Sequence, residues 1–230
     1  MSEPLPRALE ILWREPAGSG RSAGLSRDRI VRTAVDLADE AGLAALSMAR
    51  LADRLGCGTM SLYRHVANKD ELLTFMLSEA VGAPPSIDPA NWTAALTDWA
   101  FGLWEVYHRH PWILQAGAAG PPADPGQLAW LDAGLAALER TGLTERDKLA
   151  AVMAVLHFTR GAAALDLEAA NTDWPEYPAL LRRLVEEDRF PAVATALRAG
   201  VFDRADGDPL AEFRAGLGQL LGGIATRAAR

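Results

Sequence analysis

From Leu25 to Leu77 apolar residues recur at helical spacing in four stretches, divided by glycines and capping residues. Ile30, Ala34, Leu37, Ala38 and Ala41 form the inward stripe of the first, leaving Arg32, Asp36 and Asp39 outside. Ser26 supplies its N-cap, Asp28 suits its first turn and Gly42 stops it. In the second, Ser47 caps a helix whose inner face is Met48, Leu51, Ala52 and Leu55. Gly56 follows at once, where a left-handed residue lets the chain turn sharply. A third, short helix runs from about Thr59 to His65 and is tied inward by Leu62 and Val66. Asn68 caps the fourth, paired with Glu71 as in a capping box, and Leu72, Leu73, Met76 and Leu77 continue its apolar face through 69–82. Two short helices joined by a tight glycine turn make a helix-turn-helix, which lays its second helix in the major groove of DNA.

Past Ala83-Pro84-Pro85 the helical period continues. It predicts helices over 90–109, 112–118, 125–141, 144–170, 175–187, 190–199 and 208–228, separated by Pro111, Pro121-Pro122, Gly142, Pro175, Pro178, Pro191 and Pro209. No useful β-alternation occurs, so the class is all-α, with an N-terminal helix-turn-helix bundle and a larger C-terminal helical domain. Three parts follow: a flexible arm over 1–24, a DNA-binding head over 25–83, and an effector-binding and dimerisation body over 84–230. In the arm, the apolar piece Leu9–Trp13 allows one or two helical turns, and Pro16–Gly24 is rich in Gly and Ser. Arg21 either enters a minor groove or belongs to a solvated tail.

Composition narrows the function. Half of the 230 residues are hydrophobic, enough for a sizeable core. A net charge of −7 argues against a non-specific nucleic-acid coat. Yet Arg21 to Lys69 carry eight basic against five acidic residues, while 81–230 carry 13 against 19, so a mildly basic head sits on an acidic body. Cys57 is the single cysteine, which fits a reducing cytosol; it is either a small packed hydrophobe or a redox-sensing thiol. The apolar run Leu149–Leu167 is broken by His157, Arg160 and Asp166, against a membrane span, and no signal peptide is visible. The expectation is a soluble cytoplasmic protein.

No motif calls for a cofactor or an enzyme active site. Asp166 and Glu168 diverge on a helix, as do His108 and His110, and no metal-ligand spacing is present. The helix Asn91–Arg109 instead has two apolar stripes, Leu96, Trp99, Leu103 and Val106 on one and Phe101, Trp104 and His108 on the other, so it lies inside a domain. With Trp112, the tryptophans Trp99 and Trp104 suit a pocket for a small apolar or aromatic effector. His157 and Arg160 are either paired core groups or polar contacts of that pocket. For a homodimer interface, Gly161 and Ala164 allow close approach on one helix, and Phe213, Leu217, Leu220, Leu221 and Ile224 form the apolar face of another. The rival is an all-α interaction module or small-molecule-binding protein without operator affinity.

The run Gly58-Thr59-Met60-Ser61-Leu62-Tyr63-Arg64-His65-Val66, followed by Asn68-Lys69-Asp70-Glu71-Leu72-Leu73, resembles the signature of the tetracycline-repressor (TetR) family. Ser47-Met48-Ala49-Arg50-Leu51-Ala52 is similar to that family's second helix, and His110-Pro111-Trp112 is similar to its tetracycline-repressor-like C-terminal domains. The resemblance implies a homodimeric, ligand-responsive repressor reading a palindromic double-stranded operator. It places Thr59, Met60 and Ser61 on base edges, Tyr63, His65 and Lys69 on backbone, and Ser47 and Met48 at phosphate, with Arg64 a further polar contact. Ala49 departs from the pattern, standing where the tetracycline repressor carries a base-reading arginine.

Overall fold

The computed structural model describes residues 5–14, 24–116, 123–170, 177–203 and 209–229. Arg21, the end of the span expected over 112–118 and the start of that expected over 175–187 lie outside them. Helices α1 (Arg7–Arg14), α2 (Arg27–Ala41), α3 (Met48–Leu55), α4 (Thr59–Tyr63) and α5 (Lys69–Ala80) come first in the chain. The body holds α6 (Trp92–Arg109), α7 (Trp112–Ala116), α8 (Pro125–Ala137), α9 (Glu145–Ala170), α10 (Tyr177–Leu184), α11 (Pro191–Arg198) and α12 (Pro209–Ala228). No strand occurs among the described residues.

The expected caps fix the head. Ser26 Oγ accepts from the Arg29 amide, Ser47 Oγ from Arg50 and Asn68 Oδ1 from Glu71. Gly56 ends α3 at φ 66°, ψ 35°, a conformation that strains any side chain, and the Cys57 amide bonds back to the Ala52 carbonyl at 3.0 Å. Ile30, Leu51, Leu62, Val66 and Met76 are fully covered and knit α2 to α5. Cys57 is partly buried and packs against this core.

The arm differs from expectation. The turns around Leu9–Trp13 extend over Arg7–Arg14 and dock, with Ala8 buried and Ile11 and Leu12 packed on the core. Docking is electrostatic as well as apolar, because Arg7 donates to both carboxylate oxygens of buried Glu71 at 2.7 and 2.8 Å.

One continuous apolar core runs from head to body. α6 lies at its centre, between α8 and α9, and α12 packs on α9. At the junction α8 crosses α5 so closely that a Cβ on Gly126 would stand 2.4 Å from the Ser78 carbonyl oxygen. Trp130 adds a latch, its indole N–H reaching the Val81 carbonyl at 3.0 Å and that of Gly82 at 3.1 Å. α9 is the one described helix long and apolar enough to cross a membrane, and here it packs against α6, α8 and α12.

Candidate functional site

Helix α4 is a presentation device. Of its five residues only Leu62 is buried, and with Val66 it pins the helix while Thr59, Met60 and Tyr63 stay exposed. Met60 is 77% exposed, an unfavourable place for a large apolar side chain unless something covers it. Ser61 is half-buried, and its hydroxyl accepts from Arg64 at 3.1 Å, so these two form one polar unit at the helix edge. His65 is half-buried just beyond the end of α4. Lys69 Nζ donates to the Leu46 carbonyl at 2.9 Å, which places its ammonium beside exposed Ser47 and half-buried Met48 at the start of α3. Two elements separate in sequence thus bring polar and cationic groups to the end of the head that carries α4. Behind them Arg54 pairs with Glu40, holding the Glu40 carboxyl below its ordinary range and cross-linking α3 to α2.

The body divides the expected pocket residues. Trp99 is buried with its indole N–H on the Trp130 carbonyl at 2.8 Å and its ring edge-on to Trp130, so it is a core strut between α6 and α8. Trp112 faces the head, donating to Asp39 Oδ1 at 2.7 Å. His110 meets the same carboxylate through Nδ1 at 2.8 Å. His157 is exposed on α9 and is neither a paired core group nor a pocket wall in the single chain. The pattern within one helix names its apolar side, whereas the neighbouring helix decides how each residue is covered.

Trp104 and His108 come together on α6, whereas Arg160 of α9 is engaged at α7. Trp104 stacks on His108 at 4.4 Å between ring centroids and on Phe213 at 4.5 Å. Phe213 also meets Phe101 at 5.2 Å and Phe158 at 5.6 Å, joining α6, α9 and α12 through rings. His108 Nδ1 lies 2.9 Å from the Trp104 carbonyl and Nε2 3.0 Å from Asp166 Oδ2. Arg160 reaches from α9 to the Leu114 carbonyl on α7 at 2.6 Å, beside the Tyr107 hydroxyl, whose pKa burial pushes up while Arg160 pulls it down. Thr159, the preceding residue on α9, is fully buried and its Oγ1 has no hydrogen-bond partner.

The residues expected at a dimer interface differ in how the single chain covers them. Phe213, Leu217, Leu221 and Ile224 are all buried within one chain, and Leu220 is partly buried against the same core. Phe101, Trp104 and Phe158 surround Phe213, and α12 packs along α9. Gly161 is exposed and Ala164 half-buried on α9, beside Leu165 at 68% exposed.

Sequence reasoning missed Asp39, set among the solvent-facing positions of α2. It does leave the head's own core, but towards the body, where it collects both donors of the His110-Trp112 corner. Those two donors, held in one rigid corner by Pro111, were the available signal for an acceptor on another element. Among the described residues no three of His, Cys, Asp and Glu gather to hold an ion.

Comparisons with known proteins agree with this geometry. Residues 30–74 match the bacterial regulatory proteins of the tetR family, and residues 84–228 match the tetracyclin repressor-like C-terminal domain. The HTH-type transcriptional repressor DrrR1 of Streptomyces coeruleorubidus is 33% identical over 238 residues, covering 96% of this chain and 85% of that protein. Tetracycline repressor protein class D of Escherichia coli is 30% identical over 211 residues, covering 88% and 90%. The crystal structure of Streptomyces coelicolor ActR in complex with actinorhodin aligns with TM-score 0.75 at 26% identity, over 88% of this chain and 96% of that one. With both halves matched and helix-turn-helix and helical body in the order the family has them, the chain belongs to the TetR family of ligand-responsive, DNA-binding transcriptional repressors.

Proposed function

We propose that two copies of this chain bind a palindromic operator, each laying α4 in one of two successive major grooves with centres roughly 34–36 Å apart. Exposure of Thr59, Met60 and Tyr63 on a helix pinned only by Leu62 and Val66 is the observation that carries this reading. Thr59, Met60 and Ser61 contact base edges, while Tyr63, His65, Lys69, Arg64 and the start of α3 at Ser47 and Met48 grip the backbone. The head (25–83) reads and the body (84–230) responds, in the cytoplasm and without catalytic turnover.

The subunits meet through the exposed side of α9, where Leu149, His157, Gly161, Ala164 and Leu165 lie, alongside the outer face of α12. The effector is small and apolar or aromatic, and its uptake draws on Trp104 and His108 of α6 and on Arg160 of α9, whose neighbour Thr159 has an unused hydroxyl. ActR was crystallised with actinorhodin and with (S)-DNPA, which supports a small-molecule effector for this chain as well. Selection of bound fragments from randomised duplex DNA by the full chain tests the reading. An inverted repeat should be enriched, and its recovery should fall when flat apolar aromatic metabolites are added. Enrichment of no sequence would favour the interaction-module alternative.

A further inference from the structure

Helix α1 lies outside both matched segments of the chain, yet it is fastened at both ends. At its start Arg7 Nη1 donates to both oxygens of the Glu71 carboxylate, and Glu71 is only 7% exposed. Glu71 Oε2 also accepts the Ala67 amide at 3.2 Å, in the turn that carries the chain from α4 into α5. Arg7 therefore compensates a buried charge directly behind the DNA-reading helix, where an unpaired carboxylate would be costly. Near the other end of α1 the Trp13 indole N–H donates to the Ala123 carbonyl at 3.0 Å, one residue before the cap of α8. Between these ends Ala8, Ile11 and Leu12 press on the core, and α1 packs along α5.

α5 and α8 approach most closely at Ser78 and Gly126, with the Trp130 latch to Val81 and Gly82 at the C-terminal end of α5, so the contact between these two helices lies towards that end. Glu71 lies two turns up α5 from Ser78, roughly 10 Å along the axis. A tie from Glu71 through α1 to the entrance of α8 adds a third side to that contact at the far end of α5, and a triangulated junction resists rotation better than a crossing alone. We propose that α1 is a brace that sets the angle of the head on the body, and that Arg7 and Trp13 are positioning residues for DNA reading although neither touches DNA. The proposal rests on the dimeric reading above, because head angle in each subunit then determines the separation of the two α4 helices. Loosening the brace should broaden the half-site separations that the dimer tolerates.

The test uses the full-length protein and the selected inverted repeat, alongside duplexes with one base pair added or removed between half-sites. Trp13→Phe keeps a ring at a half-exposed position and removes only the N–H. Arg7→Met removes the tie to Glu71, and Arg7→Lys restores the charge on a shorter side chain. The wild type should discriminate strongly among the three spacings. Trp13→Phe and Arg7→Met should lower that discrimination by about fivefold, with Arg7→Lys intermediate, as expected for a lost coupling of this kind. A purely structural role would lower melting temperature and overall affinity but leave the spacing ratio unchanged. An unchanged ratio in Trp13→Phe, with the dimer intact, overturns the brace even if Arg7→Met fails to fold. A wild type indifferent to spacing would remove the dimeric reading and the brace together.

Discussion

Asp39 shows how much one carboxylate can join. It accepts from Trp112, which is 2% exposed, and from His110, so a single side chain of the head satisfies two donors of the body. Asp39→Ala should cost about 1–3 kcal/mol, because both donors lose their acceptor in a covered junction. A denaturant melt of wild type and variant reads this directly, and Asp39→Asn should recover part of the loss. Tyr107 makes a second test. Burial raises its pKa above the ordinary tyrosine value of 10.0, so the folded chain holds a proton that the unfolded chain releases. Its stabilising contribution is complete below pH 10 and declines as pH rises from there towards the folded-state pKa. Tyr107→Phe should flatten that alkaline decline, measured as melting temperature against pH; an equally steep decline would show that another group is responsible.

At the level of elements, the head was legible because its signals are local. Ser26, Ser47, Asn68, Gly42 and Gly56 each act within one turn of where they stand, and each occupies the cap that its residue type favours. The long helices of the body were equally plain from periodicity. Coverage was not. Phe213, Leu217, Leu221 and Ile224 are apolar on one side of α12 whether a second chain or Phe101, Trp104 and Phe158 lie against them. Amphipathicity names the dry face and is silent on what dries it. Arg7 escaped for a related reason, since its partner Glu71 is 64 residues away and looks, from the sequence, like an ordinary capping-box acid. For α4, Thr59→Ala should relax preference at particular base pairs by about 1–3 kcal/mol. Lys69→Ala should instead weaken binding to every duplex alike and reduce the salt dependence by about one counterion per chain. A Lys69 effect confined to one base position would contradict its assignment to phosphate.

At the scale of the whole molecule, the acidic body and the mildly basic head agree with a protein that meets DNA at one end only. Between the ends, a covered core and several polar ties link head to body: Asp39 to His110 and Trp112, Trp130 to Val81 and Gly82, and α1 to both. Such a junction transmits rotation, because packed cores respond by shifting between arrangements rather than by yielding continuously. Pairing two bodies then converts rotation into a change in the spacing of two reading helices. Leu165→Glu should break that pairing by burying a charge at the subunit contact, and sedimentation should show single chains that no longer hold the operator. The most direct measurement is the distance between the two heads, taken by pulsed electron resonance on labels at exposed Asp53 (Asp53→Cys with Cys57→Ser) on the selected inverted repeat. One narrow separation, shared by every bound complex and lost when the half-sites are moved half a turn apart, is the predicted result. The absence of any label-to-label distance on DNA would mean that a lone subunit occupies the site, and the account would be wrong.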